Sequence, residues 1–355
     1  VYIVTPESEA AALHAFDENT GTDTWAPVMV PQDAMGIAFN DGIVVVSTAS
    51  GTLLAFDAGT GKQLWSKGIG DTNPAVQAPT MANGLVYVGD MAKGGYLYAL
   101  KEKTGDQLWK AAPVLVFYDL GFGPISVTDT LVVVQSDGGE IRALDPTMGT
   151  PLWNTLSNAF AGGPTAIYAQ AAFGQVTNKT VNSYKVGDGT PIQKGFPTDL
   201  PAAFDGPNGY FVDTQTGTLT AQTLSSGSVA WTFPGDGVLY ESPLIVNGLV
   251  YATGGPRMAS ATQQLNGVLF AVSEATGTLI WSATDLPWTP PRTNPWNTSL
   301  SGGDSNGIGN IYVGMGSDGT ILVVPTPYGL IAYGPPSAVP PPDAGPADAG
   351  ESDGG

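Results

Sequence analysis

Ala55-Phe56-Asp57-Ala58-Gly59-Thr60-Gly61-Lys62-Gln63-Leu64-Trp65 reads as a strand, a tight turn and a returning strand. Leu53-Leu54-Ala55-Phe56 carries the alternation of a strand, with a small Ala where sheets come close. Asp57 opens the turn by accepting nearby backbone N–H groups, and Gly61 closes it by supplying a positive φ. Trp65, four residues past that glycine, falls on the next strand. Its ring is large enough to fill the wedge between twisted sheets, and its N–H then needs a polar partner.

The same pattern recurs along the chain. Ala15-Phe16-Asp17 leads through Gly21 to Trp25, Ala99-Leu100-Lys101 through Gly105 to Trp109, and Ala143-Leu144-Asp145 through Gly149 to Trp153. A decayed copy runs from Ser183 through Gly189 to Gln193. Ala221-Gln222-Thr223 leads through Gly227 to Trp231, and Ala271-Val272-Ser273 through Gly277 to Trp281. Successive copies are 40, 44, 44, 40, 38 and 50 residues apart, the length of a four-stranded unit and too long for the common two-helix repeats. A second hairpin precedes the signature. Pro79-Thr80-Met81-Ala82-Asn83-Gly84-Leu85-Val86-Tyr87-Val88 nearly repeats as Pro243 to Ala252, with Asn-Gly between apolar runs. Each unit therefore reads as an innermost strand, an Asn-Gly turn, a second strand, the Ala/Asp strand, a Thr-Gly turn and a Trp strand.

These units predict an all-β, eight-bladed β-propeller of four-stranded antiparallel blades over residues 1–334, with incomplete terminal blades. The first unit starts at Val1 without an innermost strand. The last has Asn310–Val313, Thr320–Val324 and Leu330–Tyr333 but no Thr-Gly-Trp element. Joining the ends would remove exposed edges from a ring. Residues 335–355 are rich in Pro, Ala, Asp and Gly without apolar periodicity, and are expected to form a disordered acidic tail, suited to a tether. The start at Val1 without Met suggests a processed or truncated product, with any lipid or surface anchor lying outside this sequence.

Composition narrows the function classes. Twelve basic against thirty-one acidic residues, a formal charge of −19, argue against a nucleic-acid backbone or an anionic membrane as partner. No run of about twenty apolar residues offers a membrane span. With no cysteine there is no disulfide, thiolate metal site or cysteine nucleophile. The one histidine, His14, gives little support to a histidine-based triad or a multi-histidine metal site and reads as a strand-edge residue.

The signature resembles the PQQ-like repeat family of β-propellers, which includes quinoprotein alcohol dehydrogenases and BamB-type outer-membrane assembly lipoproteins. The resemblance covers roughly residues 1–334. It implies an eight-bladed ring in a periplasmic or extracellular setting, and chain size resembles the stand-alone BamB-type propeller. The family's dehydrogenases hold pyrroloquinoline quinone with calcium, a catalytic Asp and often a vicinal disulfide. Here there is no Cys-Cys pair, and Asp304-Ser305-Asn306-Gly307 lacks the spaced carboxylates of a calcium loop.

The expected function is accordingly a non-enzymatic cell-envelope scaffold for a protein partner, without cofactor, metal or catalytic residue. A quinone- and calcium-dependent alcohol or sugar dehydrogenase is the alternative, and a carbohydrate-binding or glycan-processing propeller the second. Residues outside the repeat are the candidate contacts. The connector from Asp285 to Asp304 holds Trp288, Arg292 and Trp296, residue types favoured as binding anchors, and comparable connectors hold Tyr118, Asp119, Tyr240 and Glu241. Trp25, Trp65, Trp109, Trp153, Trp231 and Trp281 are assigned to blade packing.

Overall fold

A computed structural model describes residues 1–6, 10–69, 78–90, 96–111, 124–136, 139–156, 165–177, 180–198, 200–235, 239, 241–254, 265–288, 315–326 and 329–334. The strands fall into eight antiparallel sheets that form an eight-bladed propeller. The first sheet holds β1 (Tyr2–Pro6), β2 (Ala11–Ala15) and β3 (Val28–Val30). The second holds β4 (Ala34–Asn40), β5 (Ile43–Thr48), β6 (Thr52–Asp57) and β7 (Gln63–Gly68). The third holds β8 (Thr80–Ala82), β9 (Leu85–Gly89), β10 (Leu97–Lys101) and β11 (Gln107–Ala111). The fourth holds β12 (Ser126–Val127), β13 (Val132–Gln135), β14 (Glu140–Leu144) and β15 (Pro151–Leu156). The fifth holds β16 (Ala166–Tyr168), β17 (Ala171–Thr177), β18 (Thr180–Lys185) and β19 (Pro191–Pro197). The sixth holds β20 (Ala203–Asp205), β21 (Asn208–Asp213), β22 (Thr218–Thr223) and β23 (Val229–Phe233). The seventh holds β24 (Leu244–Val246), β25 (Leu249–Gly254), β26 (Leu265–Ser273) and β27 (Leu279–Trp288). The last holds β28 (Gly316–Ser317), β29 (Leu322–Thr326) and β30 (Gly329–Tyr333). Spatial order follows chain order in every sheet, so each blade is a simple meander.

One feature of the ends differs from the sequence expectation, and one adds to it. The strand beside β29 is Gly316–Ser317, whereas residues 310–313 lie outside the described residues. The turn Ser317-Asp318-Gly319-Thr320 joins β28 to β29, with Asp318 accepting the N–H groups of Thr320 and Ile321. Asp285–Trp288, expected to begin a connector, instead extend β27, with Leu286 paired to Gly267 and Trp288 to Leu265. Residues 335–355 lie outside the described residues. Among the described residues no helix is long and apolar enough to cross a membrane.

The middle strands of the second and fourth blades are buried on both faces. Val44, Val45 and Val46 are all fully covered, as are Leu53, Ala55 and Phe56. The expected alternation therefore gives way to continuous apolar runs, because a blade is flanked by a neighbour on each side. The signature has a regular geometric consequence. A register shift after the Ala of β6, β10, β14, β22 and β26 brings Ala55 opposite Trp65, Ala99 opposite Trp109, Ala143 opposite Trp153, Ala221 opposite Trp231 and Ala271 opposite Trp281. A small residue is required there, since the bulge turns the indole towards the next blade.

That next blade receives it at two points. The indole Nε1 donates to the carbonyl of the residue after the following signature's first turn position: Trp25 to Ala58 at 3.0 Å, Trp65 to Glu102 at 2.8 Å, Trp109 to Pro146 at 2.9 Å, Trp153 to Val186 at 2.6 Å and Trp231 to Glu274 at 2.9 Å. The ring face lies on the turn glycine of the same neighbour. At Gly149, with φ +68°, an added Cβ would stand 2.5 Å from Cδ2 of Trp109. Glycine is required here twice over, for the left-handed backbone and for the ring's approach. Between the fifth and sixth blades Gln193 covers Gly227 instead, and a cluster of rings fills the seam: Phe173 lies 4.4 Å from Phe204, and Phe196 stacks 4.9 Å from Phe211. In the last seam Trp281 meets Tyr333 at 6.0 Å.

The turn carboxylates also leave a pH signature. Asp17, Asp145, Asp188 and Asp318 each accept backbone N–H and Thr hydroxyl bonds that hold them below the ordinary carboxylate range, Asp318 down to about 2. Their folded pKa values are depressed, so the stabilisation is present above the unfolded value near 4 and is lost as pH falls towards 2. A circular-dichroism melt series from pH 5 to pH 2 is expected to show a steadily falling Tm, with a shallower fall in Asp318→Asn.

Candidate interaction face

In an up-and-down blade, the turn between strands two and three shares a face with the chain that leaves strand four for the next blade. On this propeller the opposite face is made of Asn-Gly and Thr-Gly turns, whose side chains are used internally. Asn83 Nδ2 donates to the Thr128 carbonyl of the next blade at 3.1 Å, and Asn247 Nδ2 to that of Gly319 at 2.7 Å. The connector face is the one whose sequence varies from blade to blade, and Glu241, just before β24, belongs to it.

Of those candidates, Glu241 and the backbone of Trp288 are described, whereas Arg292, Trp296, Tyr118, Asp119 and Tyr240 lie outside the described residues, as do Asp304–Gly307. Glu241 precedes β24, the innermost strand of the seventh blade. The bridge between Leu239 and Gly254, followed by the pairing of Leu244 with Tyr251, sets Glu241 opposite the Thr253 end of β25. Burial pushes the Glu241 carboxyl up to about 7, with the Thr253 hydroxyl offsetting part of the rise. The offset reflects proximity rather than a well-formed bond, because neither Glu241 Oε2 nor Thr253 Oγ1 has a hydrogen-bond partner among the described residues.

A raised folded pKa in an acid means that the folded state holds the proton more tightly. No penalty exists below the unfolded value near 4.3; stability then falls as pH rises and levels off above about 7. Glu241→Gln is therefore expected to leave stability at pH 4 unchanged and to raise it at pH 8 by on the order of 2–3 kcal/mol. Urea unfolding at the two pH values checks this.

Elsewhere on this face hydroxyls bind one blade to the next. Thr80 Oγ1 donates to the Ile125 carbonyl at 2.9 Å, and Ser126 Oγ to that of Thr165 at 2.7 Å. The Thr165 hydroxyl returns to the fourth blade, 3.0 Å from the carbonyls of Pro124 and Val133. Below them lies a charged group that the sequence did not single out. Glu140 and Arg142, 2% and 3% exposed, face one another across one strand position, with Arg142 Nη2 3.1 Å from Glu140 Oε2. Asn154 Nδ2 donates to Glu140 Oε1 at 2.9 Å. The spacing Glu140-Ile141-Arg142 placed both on one face of a strand, which was the available signal.

His14 joins a side-chain row on the first blade. Its Nε2 lies 3.0 Å from Thr5 Oγ1 and its Nδ1 3.4 Å from Asp23 Oδ1, while the ring stacks on Phe16 at 5.4 Å. The row binds β1, β2 and the following turn together.

The repeated Trp–Gly seams and the eight meander sheets define the class: a β-propeller built of PQQ-like repeats. The profile of the family described as outer membrane protein assembly factor BamB matches residues 9–178 and 179–295, and the chain belongs to this family. It is similar to BamB of Francisella salina, 28% identical over 38% of this chain and 25% of that one. It is similar to BamB of Moranella endobia, 26% identical over 63% of each chain. The tetrathionate hydrolase of Acidithiobacillus ferrooxidans is 23% identical over 68% of this chain and 53% of its own. The chain thus spans less than two thirds of the length of each of these curated relatives. Among solved structures, BamB of Moraxella catarrhalis superposes with a TM-score of 0.62 at 14% identity, covering 93% of this chain and 92% of its own. A europium-containing methanol dehydrogenase gives a TM-score of 0.62 at 15% identity over 80% and 76%. At such identities these likenesses are of fold.

Proposed function

We propose that this chain is a protein-interaction scaffold of the bacterial envelope, working beside an outer-membrane assembly machinery on the periplasmic side, and that it carries out no reaction of its own. One observation carries the reading. The recurring chemistry of the repeat (Asp, Thr, Gly and Trp) is consumed in turns and seams, so the signature marks a rigid frame rather than a site. Family membership over residues 9–295 supports the assembly setting. Among the described residues, Leu64, Leu108, Leu152, Ile192 and Ile280 are exposed on the outer strands of five blades, just before the seam position. Open edges and exposed aliphatic side chains are the means by which one sheet takes up an extended segment of another protein.

The dehydrogenase alternative asks for a calcium ligand set. Among the described residues no three His, Asp or Glu side chains gather, and Asp304–Gly307 lies outside them.

Photo-crosslinking from single positions tests the reading. A crosslinker at Leu108 or Leu152 is expected to trap a component of the outer-membrane assembly machinery in cells, and one at Thr60 in the opposite-face turn is not. Equal trapping from all three positions, or none from any, would overturn it.

A further inference from the structure

The repeated seam offers an internal comparison between its turn glycines. An added Cβ would stand 2.8 Å from Trp25 at Gly61, 2.8 Å from Trp65 at Gly105, 2.5 Å from Trp109 at Gly149 and 2.6 Å from Trp153 at Gly189. It would stand 2.5 Å from Gln193 at Gly227 and 2.6 Å from Trp231 at Gly277. Each of these six glycines thus carries a side chain of the preceding blade. Gly21 holds the same turn position in the first blade, with the same left-handed backbone at φ +67°, yet it is exposed and meets nothing among the described residues within 4 Å. The carbonyl position tells the same story. Ala58, Glu102 and Pro146, which receive an indole N–H, are buried, whereas Glu18, their counterpart beside Gly21, is exposed.

In the ring the first blade follows the last, whose described strands end at β30. Ala332 pairs with Val323 as Ala55 pairs with Val45 and Ala143 with Val133, so it holds the signature alanine position. Ala55, Ala99, Ala143, Ala221 and Ala271, each opposite a tryptophan, are 0% exposed, but Ala332 is exposed. Both halves of the closing seam, the alanine edge and the glycine seat, therefore stand open together. An open strand edge is a template for a further strand.

We infer that the last blade takes up an extended segment of a protein partner as its fourth strand, with a tryptophan of that segment seated on Gly21 and donating to the Glu18 carbonyl. This deepens the scaffold reading, on which the choice of a partner rests, by naming one edge and the segment it selects. The filled seams specify the tryptophan, since Trp25, Trp65, Trp109, Trp153 and Trp231 each combine the glycine seat with the carbonyl bond. Those five are committed to their own seams, and Trp281 packs on Tyr333. Residues 335–355, which continue from β30, hold six prolines and no tryptophan, and proline lacks the N–H of a paired strand. Asp17, Glu18 and Asp23 are exposed around the seat and the chain carries a charge of −19, so basic residues beside the tryptophan favour approach.

The test is an NMR titration of the whole chain with a capped peptide copying residues 60–68, which contains Trp65 between Lys62 and Lys67, and with the same peptide carrying Ala for Trp. Saturable binding with amide shifts at Gly21 and Ala332 is expected, and loss of the indole should weaken it by about tenfold or more. Gly21→Ala puts a methyl where the indole lands and should weaken binding to a similar extent. Gly42→Ala, at φ +77° and also with nothing within 4 Å, brings the same backbone strain away from the seat and should leave affinity unchanged. Equal binding of the two peptides, equal effects of the two variants, or unmoved signals at Gly21 and Ala332 would overturn the inference. A chain whose own strand fills the place gives the last of these results. A chain that binds the peptide at this seam, yet traps no assembly component from Leu108 or Leu152, overturns the scaffold reading alone.

Discussion

Trp109→Ala is expected to destabilise the propeller by about 3–5 kcal/mol, the cost of emptying a large aromatic site in a packed interior. Trp109 is 7% exposed, its ring lies on Gly149, and its Nε1 donates to the Pro146 carbonyl. Truncation removes the packing and leaves that carbonyl without its indole donor. The partner glycine should be almost as sensitive. Gly149→Ala places a methyl 2.5 Å from the ring at φ +68°, combining left-handed strain with overpacking, for a loss on the order of 3 kcal/mol. The two losses should not add, because both break one contact. Gln193→Ala, at the equivalent place in the seam already filled by phenylalanines, is expected to cost about 1 kcal/mol. Guanidinium unfolding of these three variants and of the Trp109/Gly149 double variant gives all these numbers. Equal sensitivity at Gln193 and Trp109 would show that the indole is not what holds neighbouring blades together.

The second large effect concerns Glu140 and Arg142. Arg142→Met is expected to cost about 3–5 kcal/mol, since it leaves a carboxylate 2% exposed without its counter-ion. Glu140→Leu combined with Arg142→Met removes both charges and should recover most of that loss, because a buried pair contributes little beyond its own desolvation. Recovery will be incomplete to the extent that Asn154 loses its acceptor on Glu140. Melting temperatures of the two single variants and the double variant decide this. A double variant as unstable as Arg142→Met would mean that the pair shapes the blade through its hydrogen bonds rather than by mutual neutralisation.

The two sites differ in how far they could be read from residues. The seam was legible because its parts recur: Ala55, Gly61 and Trp65 keep their spacing in copy after copy, and each has a single local role. What spacing could not reveal was the destination of the indole. The carbonyl of Pro146 is 37 residues from Trp109, and a residue type carries no record of which backbone group it will meet. The ends were less legible. β27 runs on through Pro287 because an edge position tolerates its missing N–H.

The connector face was legible only as composition. Glu241 stood out as an acid in an irregular stretch, but its burial depends on the Leu239–Gly254 bridge, which pins a connector against β25. Thr253 gave no signal, since a threonine in a strand is ordinary. Repetition thus made the frame readable, and the stretches that depart from it carried no such guide.

A repeat that builds a frame for protein recognition should bind its partner without help from a cofactor. The most direct test is a binding titration of the purified chain against the purified outer-membrane assembly machinery of its host, run with and without quinone and calcium. Saturable one-to-one binding, indifferent to both additions, is expected, with no bound chromophore and no dye-linked alcohol oxidation. Absence of binding, together with stoichiometric quinone uptake and alcohol oxidation, would contradict it.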